Sequence, residues 1–202
     1  MESLLHFDLI ALVQTVGIIG IAAIIFAETG LLIGFFFPGD SLLFTAGFLA
    51  SQGMFPIVLL VAVCFSAAVA GDSVGYAIGA RLGPRIFTKE KSRLFRREHL
   101  ERTKAFYARH GGKTIILARF IPIIRTFAPT LAGVGKMPYP TFLAYNMVGG
   151  FLWGVCVPLA GYFLGSAIPS VDKYLVPIVG GIIIVSLIPA IREYTRMRAG
   201  RT

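Results

Sequence analysis

The sequence predicts an all-α integral membrane protein: an inverted repeat of a re-entrant hairpin plus a transmembrane helix, with additional N- and C-terminal transmembrane helices. Three observations lead there. The 202-residue chain is 56% hydrophobic with a mean hydropathy of +0.79, too apolar for a water-soluble domain of this length. Four runs without charge, Leu9–Ala27, Ser41–Gly71, Met137–Val171 and Tyr174–Ile191, have the length of bilayer spans or more, which take roughly 17–25 residues. Finally, residues recur at a constant separation of 86: Ala46-Gly47 with Ala132-Gly133, and Gly75-Tyr76 and Gly79 with Gly161-Tyr162 and Gly165.

The elements follow in order. Residues 9–28 form a first span. Met1 to Asp8 carry no Lys or Arg and lack the basic region of a cleavable signal, so they are expected to stay in the mature chain. Residues 30–52 form a re-entrant hairpin bent at Pro38-Gly39, and 57–80 a span that ends at a basic segment, 84–112. Of the 19 basic residues, eleven fall between Arg81 and Lys113, and Arg192, Arg196, Arg198 and Arg201 lie in the tail, 192–202. By the positive-inside rule both segments face the cytoplasm. The chain between them must then cross an even number of times. Residues 138–165 and 174–191 supply two crossings, so 114–136 must enter and leave on one side as a second hairpin. Its Arg119, Pro122, Arg125, Pro129 and Gly133 make a poor lipid-facing span, and such backbone is tolerated at membrane depth only under protein or water. One crossing per unit sets the two units in opposite orientations. Within the basic segment, 91–109 has helix-forming composition and reads as a helix lying near the membrane.

Five charges sit in or beside apolar sequence: Glu28, Asp40, Asp72, Arg119 and Arg125. Each carries about 2.5–3.5 kcal/mol of insertion penalty at a helix centre, so each needs a partner or water. They fit a polar cavity where two hairpins meet, the arrangement of transporters with a mid-membrane site. A guanidinium donates two parallel hydrogen bonds to phosphate, which makes Arg119 and Arg125 candidates for binding an anion. A carboxylate near Arg in a low dielectric titrates when its partner moves, which makes Glu28 and Asp40 candidates for carrying protons. Asp72 either caps a helix or ties hairpin to helix. The structural alternative is a set of buried ion pairs that only holds the hairpins together.

Other signals are weaker. Gly71-Asp72-Ser73-Val74-Gly75 fits the serine-nucleophile pattern, which requires a strand-to-helix turn and a His partner. His6, His99 and His110 all lie outside the apolar runs. Cys64 and Cys156 have neither disulfide nor metal spacing. The net charge of +9 is concentrated in the cytoplasmic segments, where it suits anionic phospholipid head groups and does not indicate nucleic acid. Gly71, Gly75, Gly79 and Gly83 recur every four residues, a spacing that lets helices approach closely and permits homo-oligomers as well as packing within one chain. No cofactor is expected beyond a proton gradient.

The sequence resembles the DedA family of bacterial membrane proteins, in the wider SNARE-associated/VTT group. The resemblance lies in Glu28-Thr-Gly-Leu-Leu, Phe37-Pro-Gly-Asp-Ser-Leu-Leu43, Gly71-Asp72 with Gly75-Tyr76 and Gly79, Ala118-Arg-Phe-Ile-Pro122 and Arg125-Thr-Phe-Ala-Pro-Thr-Leu-Ala-Gly133. Asn146 and Trp153 also fit, and nearly the whole chain is covered. The resemblance implies two facing re-entrant hairpins in the bacterial cytoplasmic membrane. It also implies translocation of a lipid carrier, undecaprenyl phosphate, linked to the proton-motive force. The family's essential acidic and arginine residues map onto Glu28, Asp40, Arg119 and Arg125, with Asp72 secondary because that position varies. The residues themselves reach only a membrane-embedded, ion-coupled site for an anion. A proton-coupled transporter of a small solute or drug shares that site, an enzyme acting on lipid phosphates would need a nucleophile or metal ligands that the sequence does not offer, and a scaffold would need the ion pairs alone.

Overall fold

The computed structural model describes residues 9–31, 39–86 and 111–167. Residues 32–38 of the expected first hairpin, most of the basic segment, the expected span 174–191 and the tail 192–202 lie outside the described residues. Seven helices occupy the rest: α1 (Leu9–Gly30), α2 (Gly39–Ser51), α3 (Ile57–Ile86), α4 (Lys113–Ala118), α5 (Pro122–Val134), α6 (Tyr139–Gly154) and α7 (Cys156–Ala167). Among the described residues there is no strand. Three stretches are long and apolar enough to cross a bilayer: Leu12–Gly30, Ile57–Leu82 and Tyr139–Ala167. The protein is a multi-pass membrane protein.

The expected spans differ in detail from these helices. α1 is broken at Gly17, whose φ of 60° and ψ of −168° depart from the helix; positive φ is open to glycine without a Cβ clash. α3 continues past the expected end at residue 80 through Ile86. The expected span 138–165 is interrupted at Val155, which separates α6 from α7.

The chain divides into two compact units. One contains 9–24 of α1, α2, 57–65 of α3, and Gly154 at the end of α6 followed by α7. Here α2 packs along α7. α2 is apolar nearly all round, and Leu42, Leu43, Ala46, Phe48, Leu49 and Ala50 are all buried, as a helix without a polar face must be. Glycine permits the approach: a Cβ at Gly47 would run into Pro158 O, and one at Gly161 into Phe44 O. In lipid there is little hydrophobic drive between helices, so such contacts hold by close packing.

The second unit contains 25–31, 66–86 of α3, α4, α5, and α6 through Trp153. Its core gathers Ile115, Ala132, Met137 and Phe142, with Tyr76 and Tyr145 packed against them. The Tyr76 ring stacks on Phe142 at 4.7 Å between centroids, and its hydroxyl donates to the Met137 carbonyl. On α3, Gly71 meets Phe26 and Thr29 of α1, and Gly79 meets Thr130 of α5.

α2 and α5 end alike. After α2, Met54 N donates to Leu49 O at 3.2 Å and Gly53 N to Ala50 O at 3.0 Å. After α5, Met137 N donates to Ala132 O and Lys136 N to Gly133 O, both at 3.0 Å. This is the Schellman ending, which sets one residue in the left-handed region. In α2 that residue is Gly53 (φ 82°); in α5 it is Lys136 (φ 56°). A lysine pays a steric penalty there of roughly 1–2 kcal/mol. Lys136→Gly, exposed and outside the charged site, is therefore expected to raise stability by up to about 1 kcal/mol, read as a higher melting temperature in detergent with folding otherwise unchanged.

Candidate functional site

The break between α4 and α5 positions the two arginines. Pro122 opens α5 and holds the residue before it extended: Ile121 has φ −118° and ψ 107°. Arg119 closes α4, its N–H bonded to Ile116 O at 3.2 Å. Arg125 lies one turn into α5, its N–H bonded to Ile121 O at 2.9 Å. The two side chains thus leave different helical segments.

Both turn into the second unit and are buried there, with Arg119 4% and Arg125 7% exposed. Arg125 Nη2 donates to Glu28 Oε1 near the end of α1. Arg119 Nη2 donates to Asp72 Oδ2 of α3 and to Asn146 Oδ1 of α6 at 2.5 Å. Asn146 is itself oriented, because its Nδ2 donates to Val69 O at 3.1 Å; its oxygen therefore faces the guanidinium. Glu28 and Asp72 are 2% and 3% exposed. Trp153, buried on α6, lies under both cations, with its ring centroid 4.8 Å from Arg125 Cζ and 5.9 Å from Arg119 Cζ. Such contacts strengthen when desolvated.

Burial makes every unpaired charge expensive, and the cluster meets this by pairing cation with anion. Its four formal charges cancel. Four of the five charged residues expected from the sequence come together in it. Asp72, placed second on sequence grounds, is the direct partner of Arg119 and does tie α3 to the α4–α5 turn. Asp40 belongs to the other unit, half-buried in the first turn of α2, where a negative charge suits the helix N-terminus. Asn146 and Trp153 had no role assigned from sequence. The available signals were a lone amide in a long apolar run and the chain's single tryptophan.

A VTT domain matches residues 37–163, which cover α2 through most of α7. Protein DedA of Escherichia coli K12 is 49% identical over 175 residues, 86% of this chain and 80% of that protein. The chain belongs to the DedA family. Other DedA relatives include an uncharacterized membrane protein of Mycobacterium tuberculosis H37Rv, 47% identical over 184 residues, 90% of this chain and 80% of the relative. The inner membrane protein YghB of Escherichia coli K12 is 35% identical over 152 residues, 75% of this chain and 69% of that protein. No solved structure matches the chain. The resemblance read from the motifs thus holds, and it holds over the segments that build the charged cluster of this DedA-family protein.

Proposed function

We propose that this DedA-family protein is a flippase that returns undecaprenyl phosphate across the bacterial cytoplasmic membrane for reuse. The observation that carries the reading is the pair of buried guanidiniums on one tryptophan, in a multi-pass membrane protein. Two cations at membrane depth are a functional arrangement by default, and the planar fork of Arg suits a phosphate monoester. The head group binds Arg119 and Arg125 while the polyprenyl tail stays in lipid. Glu28 and Asp40 carry protons that link movement to the proton-motive force. The basic segment from Arg81 to Lys113 faces the cytoplasm and holds anionic head groups.

Alternating access comes from rocking of one inverted repeat against the other. Support for the repeat comes from features 86 residues apart in sequence: Gly47 and Gly165 make close approaches in one unit, and Gly133 and Gly79 make them in the other. α2 and α5 also share one kind of helix ending, at a separation of 83 residues.

The test is transbilayer movement of undecaprenyl phosphate in liposomes holding the purified protein. Arg119→Gln and Arg125→Gln remove a charge but keep hydrogen bonding. Losing one charge-assisted contact, about 1.5–3 kcal/mol, is expected to slow movement at least about tenfold in each folded variant. Full activity in Arg119→Gln would sink the proposal. Movement of a water-soluble solute, with no competition from a short-chain prenyl phosphate, would reassign the site to a small-solute transporter.

A further inference from the structure

The four charges of the cluster come from four different parts of the chain. Glu28 comes from α1, Asp72 from α3, Arg119 from the turn after α4 and Arg125 from α5. α6 contributes Asn146 and Trp153, neither of which titrates. The carboxylates hold the Nη2 groups of both arginines, the donors that a phosphate would need. A phosphate dianion added to this set would leave a net charge of −2 in a buried site, which is strongly disfavoured.

The fork of Arg119 is also only partly used. Its Nη2 serves Asp72 and Asn146, while its buried Nε–H has no acceptor among the described residues. Gly149 faces that edge, where a Cβ would lie 3.0 Å from Nε. With Nη2 held by Asp72 and Asn146, the Nε–H is half of a side-on edge; once the carboxylate leaves Nη2, a ligand with several oxygens such as phosphate can take both donors. Trp153 touches both cations and can hold them while their anionic partners change.

Resting on the lipid-phosphate reading above, we infer that the site is a carboxylate-for-phosphate exchanger that works without net charge: a phosphate monoester replaces Asp72 and Glu28 on the two arginines, and each displaced carboxylate takes up a proton. One dianion and two protons enter, two O–H bonds form, and the loaded cluster keeps the zero net charge it has in this structure. Glu28 and Asp72 are thus both proton carriers and internal competitors of the substrate, with Asp72 taking the role that the reading above gives to Asp40. Transport driven this way responds to a pH gradient and is indifferent to membrane potential.

The first experiment binds a short-chain polyprenyl monophosphate to the full-length protein in detergent, in weak buffer with a pH indicator, above pH ~7 where the monoester is already largely dianionic. The expected result is uptake of about two protons per phosphate bound, with affinity rising up to about a hundredfold per pH unit of acidification, as linkage requires. Glu28→Gln and Asp72→Asn should each remove about one proton from the count and tighten binding at alkaline pH. Should a variant not fold, the wild-type proton count decides alone. Binding without proton uptake overturns the exchange and leaves the lipid-phosphate reading standing. No binding by folded protein at any pH overturns both. In liposomes, the same lipid is expected to move under a pH gradient with the potential clamped. Movement driven by a potassium–valinomycin potential at equal pH overturns charge neutrality.

Discussion

Removing Asp72 alone is expected to damage the protein more than removing Asp72 and Arg119 together. Asp72→Ala leaves the buried Arg119 guanidinium hydrogen-bonded to the Asn146 oxygen but without its paired carboxylate. Breaking a buried pair from one side costs about 3–5 kcal/mol, whereas replacing both partners by apolar groups is often neutral or better. Asp72→Leu/Arg119→Leu therefore needs to absorb only the orphaned Asn146 oxygen, about 1–3 kcal/mol. Thermal unfolding in detergent should place the double variant between wild type and Asp72→Ala, with transport absent from both variants. Strictly additive losses would mean that the two residues do not act as a pair. The same comparison applies to Glu28 and Arg125.

This prediction also marks what the sequence could and could not convey. Glu28, Asp72, Arg119 and Arg125 stand out in sequence because ionised groups are so costly in apolar surroundings. Their pairing does not, because it joins positions 97 and 47 residues apart and depends on which helices pack together. Asn146 and Trp153 stood out only as fitting the family resemblance and received no role, since an amide and an indole carry no charge to mark them. The three spanning stretches were legible from length and hydropathy alone. The kink at Gly17 and the break at Val155 were not, since a local change in backbone angle leaves hydropathy untouched.

The second large effect concerns one face of α3. Gly79→Ala would drive a methyl into the Thr130 carbonyl oxygen, with Thr130 C and Cα at 2.8 and 3.0 Å. Every one of these atoms is backbone, so relief requires α3 and α5 to separate. Overpacking of this kind costs about 1–3 kcal/mol and sometimes more. Because α5 carries Arg125, the displacement also disturbs the charged cluster. Gly71→Ala meets a similar obstacle in the Phe26 carbonyl oxygen at 2.8 Å. Gly75→Ala is different. Its methyl would rest 3.4 Å from Pro129 Cβ and 3.5 Å from Gly30 O, ordinary contact distances. Alanine also favours a helix over glycine by about 1 kcal/mol. Melting temperature and transport should fall sharply in Gly79→Ala and hold or rise in Gly75→Ala. Equal losses at both positions would show that the face is uniformly tight and contradict the spacing of these helices.

The chain has a single tryptophan, and it is the residue lying under both guanidiniums. Its fluorescence consequently originates at one address. A cation sliding off the indole face, or an anion arriving beside it, alters the field on the excited ring and shifts its emission. The wild-type protein therefore carries a built-in optical reporter, and its occupancy can be followed in real time in a native-like bilayer without attaching a dye.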